Sequence, residues 1–342
     1  MGELKIIKAG PMTTIQDLGR FGYMKYGMPT AGAVDQYAFK IANILVGNPE
    51  DEAAIEATFL GPTIQFKVEA VIAITGGGMN PELDGKEIPM WQAVKVSKGS
   101  KLSLNGVKAG LRGYIAIRGG IKLPEVMGSK STYLRGELGG FKGRKLKQGD
   151  ELSLAKNKEV REFCLKRSIP ADLLEDYLED RKIRVIVGPQ GDYFTSKSLE
   201  TFLTSRYQLT TQSDRMGCRL AGPTLEHTKG ADIISDGIAS GAIQVPGDGQ
   251  PIIMLADRQT TGGYAKIANV ISIDLPKVAQ AKPGDKLKFE QIEVVEAQQE
   301  LKKKEERIAR LKEWLATEVK KRTRYFKIKV DGKLFEVEVE EQ

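Results

Sequence analysis

Glycine punctuates this chain so densely that long helices have little room before residue 290. Thirty-seven of its 342 residues are glycine. They break the sequence into short apolar runs bounded by turn residues, which is the pattern of a protein built from strands and turns. Strands are expected at Val71–Thr75, Gly113–Arg118, Ile183–Val187, Ile252–Leu255 and Val270–Ile273. One early helix is expected from Asp35 to Val46, with Asp35 as the N-cap and Gly47-Asn48-Pro49 as the stop. A charged connector helix is expected at about 172–181.

The turn-and-strand units also repeat in order. KGSKLSL (Lys98–Leu104), QGDELSL (Gln148–Leu154) and PGDKLKF (Pro283–Phe289) share a tight turn followed by an alternating strand. Gly61-Pro62-Thr63-Ile64 returns as Gly222-Pro223-Thr224-Leu225, preceded by Asp17-Leu18-Gly19-Arg20 in one half and Asp214-Arg215-Met216-Gly217 in the other. STYLRGELGG (Ser131–Gly140) is loosely mirrored by QTTGGY (Gln259–Tyr264). Two related β-domains would produce this order. The C-terminus differs in character: Val294, Ala297, Leu301, Ile308, Leu311 and Leu315 fall on one stripe of an amphipathic helix that docks on the body or on a partner. A hairpin turning at Asp331-Gly332 follows over Phe326–Val339.

Composition removes several chemistries. With His227 as the one histidine, most histidine-based triads and multi-histidine metal sites drop out of consideration. Cys164 and Cys218 are too few for a disulfide framework, and no metal site is evident. Any acid–base work therefore falls to Asp, Glu, Lys, Tyr or the substrate. The net charge of +7 is spread along the chain without a basic block interleaved with aromatics, which reads first as a highly charged solvated surface; a small anionic substrate would also suit it, and no nucleic acid is expected. No apolar run is long enough for a membrane helix, and the N-terminus MGELKIIKAG lacks a signal-peptide core, so the expectation is cytoplasmic with no membrane partner.

The densest polar stretch is Ser235–Tyr264. Within it, Asp257, Gln259, Thr260, Thr261, Gly262 and Gly263 follow the apolar run Ile252–Ala256, so they sit where a strand ends. That position can offer hydroxyls, a carboxamide and free backbone N–H groups to an anion or a carbonyl oxygen. The alternative is a polar loop that satisfies its own backbone. Gln244, in the same stretch, joins the candidate binding set. Arg215 and Arg219 lie four residues apart; they would grip a carboxylate in a planar fork, or serve in structural ion pairs. Gly76, Gly77 and Gly78 end an apolar strand and would form an oxyanion nest, or simply a loose turn. No stretch fits a phosphate-binding P-loop, so a nucleotide would need another cradle.

TIQDLGRFGY (Thr14–Tyr23), ANILVGNPEDEAAIE (Ala42–Glu56), the run Arg118–Asp150, SDRMGCRL (Ser213–Leu220) and the GAIQVPGDGQPI and ADRQTTGGY segments resemble the family called allophanate hydrolase subunit 2. Its members include the carboxyltransferase domain of urea carboxylase, KipA-type regulators and the C subunit of ATP-dependent 5-oxoprolinase. The resemblance implies a mainly β fold of two cyclophilin-like β-barrel domains with a cleft between them. The expected layout is 1–165 for the first, 166–182 for a helical connector, 183–291 for the second and 292–342 for a helix-and-hairpin extension. It implies two partners, a KipI-like B subunit together with an A subunit. The expected activity is opening of the 5-oxoproline lactam to glutamate, with ATP used at the level of the complex. Carboxyl transfer from carboxybiotin on a separate carrier to a urea-like substrate is the second expectation, and a regulatory role of the KipA type the third. In the first, Asp257, Gln259 and Thr260 would be catalytic. Gly76–Gly78, Arg215, Arg219, Gln244 and Thr261–Gly263 would hold substrate. The tail FKIKVDGKLFEVEVEE is similar to the leading hairpin of some biotin-carrier segments, as a relic, a docking strand or a coincidence of hairpin composition.

Overall fold

The computed structural model describes residues 2–155, 167–174, 182–321, 324–331 and 333–339. The first half is built from two antiparallel sheets. A six-stranded sheet runs in the order Glu151–Leu152, Leu4–Lys8, Thr63–Phe66, Lys101–Leu104, Pro81–Leu83, Lys86–Glu87. A five-stranded sheet runs Met12–Gln16, Ala54–Thr58, Arg112–Ile117, Ala70–Gly76, Ala93–Val96. Alternate residues send Ile55, Ile72, Ile74 and Ile115 into the core between the sheets, with Leu4, Ile64, Phe66 and Leu102 from the other side. The opposite face carries Ala54, Val71, Ala73, Tyr114 and Ala116 under helix α1 (Gln36–Val46). This sheet is covered on both faces, which explains why its central strands are continuous apolar runs instead of alternating ones.

Helix α1 forms where expected. The Asp35 carboxylate accepts the Ala38 N–H at 3.0 Å, and Gly47 ends the helix in the left-handed conformation. Small alanines on the sheet let the helix approach closely enough for Phe39 to pack edge-on to Tyr114, ring centres 6.0 Å apart.

The second half closes into a seven-stranded barrel, in the order Lys182–Val187, Lys266–Val270, Ala242–Gln244, Ile252–Met254, Gly217–Ala221, Arg206–Leu209, Lys286–Gln291. The first and last of these strands pair in parallel, Ile183 against Phe289, which seals the barrel. Helix α2 (Ser196–Thr204) plugs one end through Phe202, stacked on Phe289 at 4.4 Å. A two-stranded ribbon, Asp232–Gly237 with Thr261–Tyr264, stands apart from the barrel.

One expected strand shifts, and one sequence echo is not matched in structure. The strand expected at Val270–Ile273 ends at Val270, because a single turn at Ser272–Asp274 leads into helix α3 (Leu275–Ala279), whose start is fixed by Pro276. Gly222-Pro223-Thr224-Leu225 forms no strand, although its counterpart Thr63–Phe66 does. The connector helix at 172–181 falls mostly outside the described residues, which hold only a short turn at Ala171–Leu173.

Helix α4 (Val294–Lys321) docks on the body: Ile308, Leu311 and Leu315 are buried with α1, while Val294 and Leu301 at the start of the same stripe stay exposed. The hairpin Arg324–Val330 with Lys333–Val339 turns at Asp331, whose φ is +49°. Among the described residues, no helix is long and apolar enough to cross a membrane.

Candidate functional site in the cleft between the two halves

Polar side chains from both halves converge where they meet. Arg215, in the turn before strand Gly217–Ala221, donates Nε and Nη2 to the two oxygens of Asp257 at 3.0 and 2.9 Å. Its Nη1 bonds Glu56 Oε1 in the first half, and Nη2 also reaches the Gly32 carbonyl at 2.6 Å. Glu56 Oε2 accepts from Tyr114 Oη at 2.8 Å and from the Val34 N–H at 3.1 Å. Tyr114 Oη in turn accepts the Asp35 N–H at 2.8 Å. All of these side chains are buried.

Gln280 extends the network. Its Oε1 accepts the Leu111 and Arg112 N–H groups, both at 2.9 Å, and its Nε2 donates to Asp35 Oδ2 at 2.8 Å and to the Arg112 carbonyl at 3.0 Å.

Charge accounts for the stability of this arrangement. Burial alone would lower the Arg215 pKa, but Asp257 and Glu56 hold it well above its ordinary value. Burial raises Asp257 above the usual carboxylate range, opposed by Arg215 and aided by Glu56. Burial, then the neighbouring Glu56 and Asp35, pushes Tyr114 far up, so it stays a neutral donor.

Arg215 is thus a clamp between the halves instead of a free fork for substrate, the ion-pair alternative in the sequence. Arg219 does not join it: alternation along its strand sends Cys218 inward and Arg219 out to solvent. Gly76–Gly78 does not form an oxyanion nest either. The Gly77 N–H donates to the Arg112 carbonyl at 2.7 Å and the Gly78 N–H to the Ala109 carbonyl at 2.8 Å. These glycines permit close approach, since a Cβ on Gly77 would lie 2.6 Å from the Ala109 oxygen and 3.0 Å from Gln280 Oε1.

The remaining predicted residues gather at the ribbon. Thr261, Gly262 and Gly263 lie on its second strand, and buried Gln244 packs beneath, its Nε2 3.4 Å from the Tyr264 carbonyl. Gln259 is exposed, while Thr260 is half-buried with its carbonyl accepting the Ile238 N–H at 3.0 Å. His227 bonds the Val245 carbonyl at 3.0 Å and packs against Phe194, a structural placement.

A cavity of about 270 Å³ opens along the same cleft, lined by Thr30, Ala31 and Val34 from the first half and by Ala256, Arg258 and Ser240 from the second. Asp257 is not among its lining residues, although both its neighbours are. Arg258 is the residue that sequence reasoning missed, although it stands in the middle of the ADRQTTGGY segment. Among the described residues it donates only to neutral acceptors: the Ile238 carbonyl at 2.9 Å, the Leu255 carbonyl at 3.2 Å, Thr30 Oγ1 at 3.4 Å and, at 3.9 Å, Met24 Sδ. Burial lowers its pKa, with no acidic neighbour to offset the effect. A buried guanidinium without a carboxylate is costly, and an anionic ligand would compensate it.

Arg20 is fully buried as well. Its Nη2 donates to the Ser131 carbonyl at 2.6 Å, and among the described residues its Nε and Nη1 have no hydrogen-bond partner. Asp17 organises the adjoining loop, accepting from Ser129 Oγ at 2.8 Å, the Gly19 N–H at 2.7 Å and the Lys130 N–H at 2.5 Å.

Comparison with known proteins places this architecture. The chain is 40% identical over 294 residues to the C subunit of 5-oxoprolinase from Escherichia coli, spanning 86% of this chain and 93% of that protein. It is 40% identical over 301 residues to urea amidolyase of Saccharomyces cerevisiae, but there it spans only 16% of the larger protein. The crystal structure of the Kluyveromyces lactis urea carboxylase superposes with a TM-score of 0.85 at 33% identity, covering 90% of this chain and 29% of that one. Residues 26–291 match the family described as carboxyltransferase domain, subdomain A and B. The chain belongs to this carboxyltransferase-domain family.

Proposed function

We propose that this chain is the C subunit of an ATP-dependent 5-oxoprolinase complex, in which the cleft cavity receives 5-oxoproline for opening to glutamate. The observation that carries the reading is Arg258, a buried guanidinium without an acidic partner among the described residues, on the wall of a cavity of about 270 Å³. A small cyclic amide bearing one carboxylate suits that wall: the carboxylate meets the guanidinium, and the Ser240 and Ser272 side chains line the same space beside the lactam. Near-complete coverage of the E. coli C subunit supports the same assignment. ATP then acts at the level of the complex, where an A subunit, together with a KipI-like B subunit, supplies what this chain lacks. Asp257, held by Arg215, positions the Ala256–Arg258 backbone in this reading.

The resemblance to urea carboxylase favours a second reading, carboxyl transfer to a urea-like nitrogen. In it, carboxybiotin on a separate carrier supplies the carboxyl group, and Arg258 is the group able to hold it.

The test is release of glutamate from 5-oxoproline and ATP by this chain assembled with its partner subunits. Glutamate that disappears when the chain is omitted supports the first reading. An assembled complex that releases none, but carboxylates urea when given a carboxylated carrier, replaces it with the second.

A further inference from the structure

Helix α4 lies beyond residues 26–291, the span matched by the family, yet it builds part of the cleft cavity. Leu301, Lys304, Glu305 and Ile308 complete the wall begun by Arg258 and the residues of α1. The helix is fixed to both halves. Toward the first, Ile308, Leu311 and Leu315 are buried against α1, and Glu305 pairs with Lys40 at 3.6 Å. Lys312 also pairs with Glu50. Toward the barrel, Glu300 reaches Arg184 at 3.7 Å.

Two consequences bear on any ligand in the cavity. Leu301 and Ile308 limit its size with apolar surface. Glu305, together with Glu50, neutralises Lys40, which lines the same space. Lys304 lies over the Tyr37 ring, 4.2 Å from its centre.

We propose that α4 is the specificity wall of the cleft, and that Leu301 restricts it to a small anionic ligand. The proposal rests on the cleft being the substrate site. Leu301 is the residue to test, because it is 39% exposed and its replacement leaves the buried anchors untouched. Leu301→Trp would push an indole into the cavity, whereas Lys302→Trp, from a side chain 79% exposed, places the same bulk on a residue that does not line it.

Calorimetric titration of the full chain and both variants with 5-oxoproline, and separately with urea, reads the outcome, with the melting temperature as a folding control. The expected result is binding of 5-oxoproline to the wild type and to Lys302→Trp, with affinity at least tenfold weaker in Leu301→Trp at an unchanged melting temperature. Equal affinity in Leu301→Trp overturns the role of α4 and leaves the cleft reading standing. Binding of urea but not 5-oxoproline overturns the substrate reading, and the same pair of variants then judges α4 with urea. If neither compound binds the wild type, both proposals fall.

Discussion

Asp35 and Gln280 stand 245 positions apart and meet at 2.8 Å, so the carboxylate that caps α1 is held by the amide of a residue from the other half of the protein. The same amide group satisfies two backbone N–H groups of the first half. Gln280→Ala therefore leaves one buried donor, the Arg112 N–H, and one half-buried donor, the Leu111 N–H, without this acceptor. At about 1–3 kcal/mol for the buried Arg112 N–H, with less for the half-buried Leu111 N–H, the loss should be visible in urea unfolding. A variant that unfolds at the wild-type midpoint would show that water replaces the amide.

Arg215→Met should be among the most damaging single changes. It strands Glu56 and Asp257, both buried, and breaking such a pair costs roughly 3–5 kcal/mol. Adding Glu56→Gln removes one stranded charge and should recover part of the loss, so the double variant should melt above the single one. Asp257→Asn weakens the same clamp. Its effect on activity is interpretable only beside its melting temperature, and full activity would remove Asp257 from the mechanism.

Arg258→Met has the opposite profile. It removes a buried cation that has no acidic partner, so the fold should hold or gain stability. In the assembled complex the KM for 5-oxoproline should rise by roughly 10–100-fold, as expected for the loss of a charge-assisted contact of about 1.5–3 kcal/mol. An unchanged KM would place the substrate carboxylate elsewhere.

Alkali should destabilise the fold ahead of any acid effect from these tyrosines. Burial raises Tyr207 to about 12, and burial with Glu56 and Asp35 raises Tyr114 as well. Above pH 10 the unfolded chain releases these protons while the folded chain keeps them. The folded state then binds more protons, so stability falls as pH rises through this window and is unaffected by these groups below it. Tyr207→Phe removes its share. Stability measured from pH 9 to 12 should decline less steeply in that variant, and identical slopes would show that Tyr207 ionises freely.

Cys218 should be inert. Burial pushes its thiol up to about 11, and its side chain points into the barrel. Peptide mapping after iodoacetamide treatment at pH 8 should find Cys218 alkylated only in denatured protein.

Much of this architecture was legible in the chain because its signals are local. The cap at Asp35, the stop at Gly47, the turns before Lys101–Leu104, Glu151–Leu152 and Lys286–Gln291, and the turn at Asp331 are each specified by a few adjacent residues. The site was legible only in part. Arg215 reads as a substrate fork until Glu56 is brought to it from 159 positions away, and nothing near either residue announces the pairing. Gly76–Gly78 reads as an open nest because the carbonyls that occupy it belong to Ala109 and Arg112. Arg258 stands beside more reactive neighbours that draw attention from it. The feature that singles it out, burial without an acidic partner, exists only in three dimensions.

The parallel seam between Lys182–Val187 and Lys286–Gln291 also sets an order of events during synthesis. The barrel cannot close until the ribosome has released residue 291, long after the first half has emerged. Through that interval Glu56 is a carboxylate without its arginine, and Asp35 lacks its amide.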